Sequence, residues 1–280
     1  MLTYFALTFA ISWGGVLILG APYGMPATSD QSARLWPLVF LPYFLGPSLA
    51  GLLMVGLVHG RAGYRDLRSR LTKWRVGARW HAAALMTAPL LILPTLYALS
   101  LTSAEYLPVI VTSADKVGPI VTGLVVGLLF GGFMEELGWT GFAVPGLRRR
   151  HGVIATGALV GALWGIWHFL PTFWASGDAS GQLDWAILLP PCAFYAGVLP
   201  AYRVLMVRVY DRTGSLLVAM LMHASLTANS LFVLAPSVQG GSLILYYVVL
   251  SAIFWAVVAA VAVAGGGRLS LRALPGRSAE

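Results

Sequence analysis

The stretch "PIVTGLVVGLLFGGFMEELGWTGFAV", residues 119–144, carries no charge except at two adjacent positions in its interior, Glu135 and Glu136. At about 1.5 Å of rise per residue, a helix of this length crosses the roughly 30 Å of hydrocarbon in a bilayer. Two carboxylates inside such a helix are costly unless they face other protein groups or water, so the stretch predicts both a membrane helix and a buried polar site.

Seven further apolar runs extend this reading outward, at approximately 1–20, 37–58, 81–99, 153–175, 185–207, 215–236 and 243–265. The chain is 58% hydrophobic and only 10% charged, with a mean hydropathy of +0.80, whereas soluble domains carry about 25% charged residues. The fold predicted is all-α, a polytopic transmembrane helical bundle of about eight spans, with residues 1–280 forming a single integral membrane domain. Pro89 and Pro94 interrupt the third run. Prolines are tolerated in membrane helices when neighbours satisfy the carbonyls they free, so they predict kinks in a packed bundle. The first run has neither a basic leading region nor a small-residue cleavage site, and is expected to be a retained helix.

The connections alternate in charge. Segment 59–80 holds seven Lys/Arg against one acid, and under an eight-span arrangement sixteen of the eighteen basic residues fall on one side. That side is expected to be cytoplasmic, with both termini on it, because Lys and Arg accumulate in cytoplasmic loops. Arg268, Arg272 and Arg277 contribute to the bias from the C-terminal tail, and Arg203 is expected to snorkel from the end of the sixth span. The net charge of +8 is thus explained by topology and anionic lipid, and no nucleic-acid partner is expected. Within 59–80, Leu67, Leu71 and Trp74 are spaced as the apolar stripe of an amphipathic surface helix. The single cysteine, Cys192, excludes an intrachain disulfide framework, and no phosphate-binding loop is present.

Once the spans are drawn, the ionisable side chains deep within them reduce to Glu135, Glu136, His168 and His223. Adjacent helical positions differ by about 100° in projection, so the two glutamates point in different directions: one towards a cavity, the other towards a neighbouring helix. Trp164 shares a helix face with His168, and Thr227 stands one turn after His223. Two Glu and two His suffice for a divalent-metal site, with zinc the example, in which three of Glu135, Glu136, His168 and His223 bind the ion and the remaining glutamate takes a proton from water. They equally suffice for a metal-free scheme in which Glu and His168 activate water while His223 and Thr227 stabilise an oxyanion. The same residues on an ion path would serve a transporter, and in a noncatalytic immunity or interaction protein they would be packing polar groups. H-E-x-x-H and G-x-S-x-G are both absent.

"EELGWTGF" at 135–142, "ALWGIWH" at 162–168 and "LMHASLT" at 221–227 resemble, in order, the three polar motifs of the CAAX-protease and bacteriocin-processing family, the Abi or type II CAAX endopeptidases. The resemblance covers about 119–236, a CAAX-protease-like catalytic core. It implies an intramembrane endopeptidase of a prokaryotic cell membrane, described for the family as a metalloprotease and also as a metal-free glutamate enzyme. It implies a lipidated or membrane-associated protein or peptide as substrate. By the same resemblance Glu135 is the principal catalytic glutamate, Glu136 its partner, and His168, His223 and Thr227 the remaining catalytic positions. Thr140 stands where the family pattern E-E-x-x-x-R has arginine, Thr227 where H-x-x-x-N has asparagine, and Trp164 where phenylalanine is frequent.

Overall fold

The computed structural model describes residues 1–264, and the tail arginines at 268, 272 and 277 lie outside them. Eight helices among the described residues are long and apolar enough to cross a membrane: α1 Leu2–Tyr23, α2 Ser29–Leu71, α3 Ala78–Ser100, α4 Val117–Arg148, α5 Val153–Trp174, α6 Trp185–Thr213, α7 Leu216–Val233 and α8 Gly240–Ala264. Every predicted run is found, and no β-strand forms among the described residues.

Local chemistry sets the helix ends. Thr28 and Gln31 form a reciprocal capping box at the start of α2, with Gln31 N donating to Thr28 Oγ1 at 3.2 Å and Thr28 N to Gln31 Oε1 at 3.0 Å. Asp184 caps α6 by accepting from Ala186 N at 2.8 Å, and α6 stops at Gly214, which adopts the left-handed conformation (φ +59°).

The prolines show how the bundle holds itself together. A proline inside a helix leaves the carbonyl four residues earlier without its N–H partner. Pro47 frees Tyr43, and Ser12 of α1 donates to that carbonyl at 2.6 Å. Pro171 frees Trp167, and Trp13 of α1 donates its indole N–H there at 2.9 Å. Pro89 frees Leu85, and Ser225 of α7 donates at 2.7 Å. Each donor comes from another helix, as hydrocarbon demands.

Helices α5 and α6 approach backbone to backbone along Gly157, Gly161 and Gly165. A Cβ at these positions would come within 2.4 Å of Val204 Cα, 2.5 Å of Pro200 Cα and 2.4 Å of the Tyr195 carbonyl. One small residue per turn is the usual solution for close crossing in lipid, where apolar burial supplies little drive. Helices α1, α2 and α8 complete the bundle: α1 packs on α2 and α5, α8 on α6 and α3.

Segment 59–80 departs in part from its expected form. Helix α2 turns at Gly60 (φ +55°, ψ −148°), a conformation that favours glycine, and then runs on to Leu71. Leu67 is buried and packs with Leu137, Leu216 and Met220, and Leu71 lies against them, so this part of the stripe covers α4 at Leu137 and the start of α7. Trp74 lies beyond the helix and is 60% exposed, because the chain leaves helical geometry at Thr72.

Candidate active site

Helix α4 is not a regular α-helix. It winds with wider π turns at Gly127–Glu135 and again at Trp139–Ala143, on either side of a short α segment, Glu136–Gly138. Such expansions inside α-helices recur at functional sites because they re-aim side chains. Here they flank the glutamate pair. Both side chains are withdrawn from the surface, Glu135 at 2% exposure and Glu136 at 0%.

The two carboxylates have different surroundings. Glu136 is saturated: Oε1 accepts from His223 Nδ1 at 2.7 Å and from Arg203 Nη1 at 2.7 Å, while Oε2 accepts from the same Nη1 at 2.8 Å and from the Thr140 hydroxyl. Glu135 is held by one oxygen only, its Oε2 accepting from Trp164 Nε1 at 2.6 Å. Its Oε1 looks towards His223 Nε2, 3.9 Å away. An oxygen atom about 2.8 Å from each of those two atoms fits between them at ordinary hydrogen-bond lengths.

With its Nδ1–H committed to Glu136, His223 turns Nε2 towards Glu135. Gly131, one turn before Glu135, leaves that side open. A Cβ there would lie 2.7 Å from Thr227 Oγ1 and 3.0 Å from His223 Nε2, so the missing side chain is the space that these two groups share.

His168 stands further off. Its Nδ1 bonds the Trp164 carbonyl at 2.8 Å, as a donor in the tautomer that leaves Nε2 an acceptor. Its ring is stacked on Tyr195 with centroids 4.8 Å apart and lies 5.9 Å from Trp164, whose own ring is 4.7 Å from His223. Trp164 is therefore the wall between the two histidines. The structure brings Glu135, Glu136, His223 and Thr227 together, and His168 lies across an indole from them with no direct bond to either glutamate.

Arg203 is the residue whose sequence reading is corrected. It does not snorkel; it is fully buried in the bundle interior on Glu136, with its guanidinium carbon 4.2 Å from the centroid of the Trp164 ring. Helix α6 continues to Thr213, ten residues beyond, which sets Arg203 about 15 Å from that end. Its charge in an apolar run was the available signal. The Trp164 indole bond to Glu135 and the opening at Gly131 carried no signal of that kind. Asn229 is spent locally, its amide donating to the Ser225 carbonyl at 2.8 Å.

Glu135, Glu136, His168 and His223 are the side chains that the sequence offers as metal ligands. Among the described residues, no group of three or more His, Cys, Asp or Glu side chains is arranged to hold an ion. Glu136 has its lone pairs engaged by Arg203, His223 and Thr140, and His168 is separated from the others by Trp164. This donor arrangement does not fit a metal.

Residues 117–229, which carry both glutamates and both histidines, match the family described as type II CAAX prenyl endopeptidase Rce1-like. This segment is similar to the CAAX proteases. A curated relative, CAAX prenyl protease 2 of Methanococcus maripaludis, is 20% identical over 232 residues, which span 81% of this chain and 82% of the relative. The CAAX protease match thus coincides with the part of the bundle in which the buried polar groups meet.

Proposed function

We propose that this protein is an intramembrane endopeptidase of CAAX type that cleaves a peptide bond near the C-terminus of a prenylated, membrane-associated protein. The observation that carries the mechanism is the asymmetry of the glutamates: every oxygen of Glu136 is engaged, whereas Glu135 keeps Oε1 free beside His223 Nε2.

Water held against Glu135 Oε1 loses a proton to it and attacks the scissile carbonyl, and Glu135 then returns the proton to the departing amine. Trp164 fixes the other oxygen of Glu135 and so aims the free one. Glu136 steadies His223 through Nδ1, as a buried carboxylate orients the histidine of a hydrolytic triad. His223 Nε2 accepts from the water that Glu135 deprotonates, and the Thr227 hydroxyl donates to the tetrahedral oxygen from the space left by Gly131. His168 bonds the Trp164 carbonyl from the far side of that ring and bears on the site through Trp164.

The test uses purified protein in lipid nanodiscs and a quenched fluorescent peptide ending in a farnesylated Cys-aliphatic-aliphatic-Met sequence. Glu135→Gln keeps an acceptor for Trp164 but removes the base, and kcat is expected to fall about 1,000-fold. Retention of wild-type cleavage by this variant would overturn the assignment.

A further inference from the structure

Thr140 meets Glu136 with a hydroxyl, which supplies a hydrogen bond but no charge. A carboxylate in a bundle interior calls for a cation, and here it comes from a different helix. Arg203 of α6 is 0% exposed, and its Nη1 lies 2.7 and 2.8 Å from the two oxygens of Glu136. The carbon of the same guanidinium lies over Trp164, 4.2 Å from the ring centroid, and the Trp164 indole N–H is the group that holds Glu135. One cation therefore touches the anchor carboxylate directly and the working carboxylate through a single aromatic ring.

The geometry is not that of a simple helix-to-helix clamp. An arginine engaged for strength alone uses its planar fork, two nitrogens to two oxygens. Here one nitrogen serves both oxygens, and Nε and Nη2 are buried without a hydrogen-bond partner. The guanidinium carbon instead sits over the Trp164 ring. The α5 backbone makes room for this at Gly161, where a Cβ would lie 3.0 Å from Arg203 Cβ.

We propose that Arg203 is the positioning residue of this site, standing in from α6 for a charge that Thr140 lacks on α4. It holds Glu136 so that His223 keeps Nδ1 down and Nε2 towards Glu135. It also holds the Trp164 ring so that Glu135 is gripped by one oxygen and free at the other. This rests on the reading of Glu135 as the base.

The experiment compares Arg203→Met, Arg203→Lys, the swap Thr140→Arg with Arg203→Met, and the neutralised pair Glu136→Gln with Arg203→Met, by peptide cleavage and by thermal unfolding in nanodiscs. Arg203→Met is expected to lower kcat about 100-fold with KM within about threefold of wild type, the signature of misplaced groups rather than lost binding. Arg203→Lys keeps the charge without the plane, and should recover no more than about tenfold of that loss. The swap should regain about tenfold or more over Arg203→Met, since an arginine at 140 starts one turn from Glu136. In unfolding, Arg203→Met should lower Tm by about 10 °C and the neutralised pair by about half as much or less, because no stranded carboxylate remains.

Wild-type kcat in Arg203→Met would overturn the proposal, as would equal kcat in the swap and the neutralised pair. That last comparison stands even if Arg203→Met alone does not fold. Unaltered cleavage by Glu135→Gln, or no cleavage of the peptide by the wild type, sinks the functional reading instead. In that event the unfolding cycle still decides on Arg203: a Tm loss in the neutralised pair equal to or greater than that in Arg203→Met alone would overturn it.

Discussion

Glu135 and Glu136 are neighbours in sequence with the same side chain, and they differ in the number of donors that reach them. Four contacts from three helices fill Glu136, and one indole N–H holds Glu135. The free oxygen of Glu135 opens towards the space at Gly131, and a methyl group there would meet Thr227 Oγ1 and His223 Nε2 at 2.7–3.0 Å. Gly131→Ala is therefore expected to reduce cleavage of the farnesylated peptide about 100-fold while leaving the folded protein intact, measured by kcat/KM beside the unfolding midpoint. The glutamates and both histidines were legible as residues because a charge or imidazole in an apolar run stands out against its cost. Their division of roles was not. It depends on Trp164 and Arg203, which lie on other helices and at depths that hydropathy does not resolve. The run containing Arg203 fades in hydropathy near residue 207, yet its helix continues to Thr213, and that difference turns a snorkelling arginine into a buried one.

At the scale of elements, the apolar runs and the need for neighbours to satisfy the carbonyls that prolines free were readable from the sequence, since length and satisfied carbonyls are general demands of a bilayer. The π turns of α4 were not, because an i→i+5 winding has no separate sequence period over nine residues. The connection between α5 and α6 supplies a pH test outside the hydrocarbon. Asp178 accepts from the Ser180 hydroxyl at 2.7 Å and from the backbone N–H groups of Ser180 and Gln182 at 2.7 and 2.9 Å. The Ser180 hydroxyl first, then these amides, hold its carboxyl below the usual aspartate value. A depressed folded-state value means that the group supports the loop above the unfolded value, about 3.9, and that this support is lost as pH falls through the folded value. Hydrogen exchange at residues 177–184 is expected to rise below about pH 4, after correction for intrinsic rates, and to be already raised at neutral pH in Asp178→Asn.

For the molecule as a whole, the eight helices alternate their connections between two faces, and the basic residues of 61–79 and 148–150 fall on one of them. We propose that this face is cytoplasmic and carries both termini, as the Lys/Arg bias directs. Reporter fusions after Arg150 and after Asp178 should report cytoplasmic and opposite locations respectively; the reverse pattern would overturn the orientation. Part of this face is also bound together by ion pairing, since Arg148 at the end of α4 reaches Asp211 of α6 at 2.6 and 2.9 Å.

The three proline carbonyls have a consequence for alignment. Tyr43, Trp167 and Leu85 each receive a donor from another helix, and each donor sits at one angle and one height on that helix. A slip of one residue would turn the donor by about 100° and shift it by about 1.5 Å, breaking the bond with no water to replace it. The bundle consequently has a phase, and its helices can mesh in one setting but not in the next. His168 immediately follows one of those carbonyls, so the rotation of α1 is transmitted, through a single indole, to an imidazole beside the site.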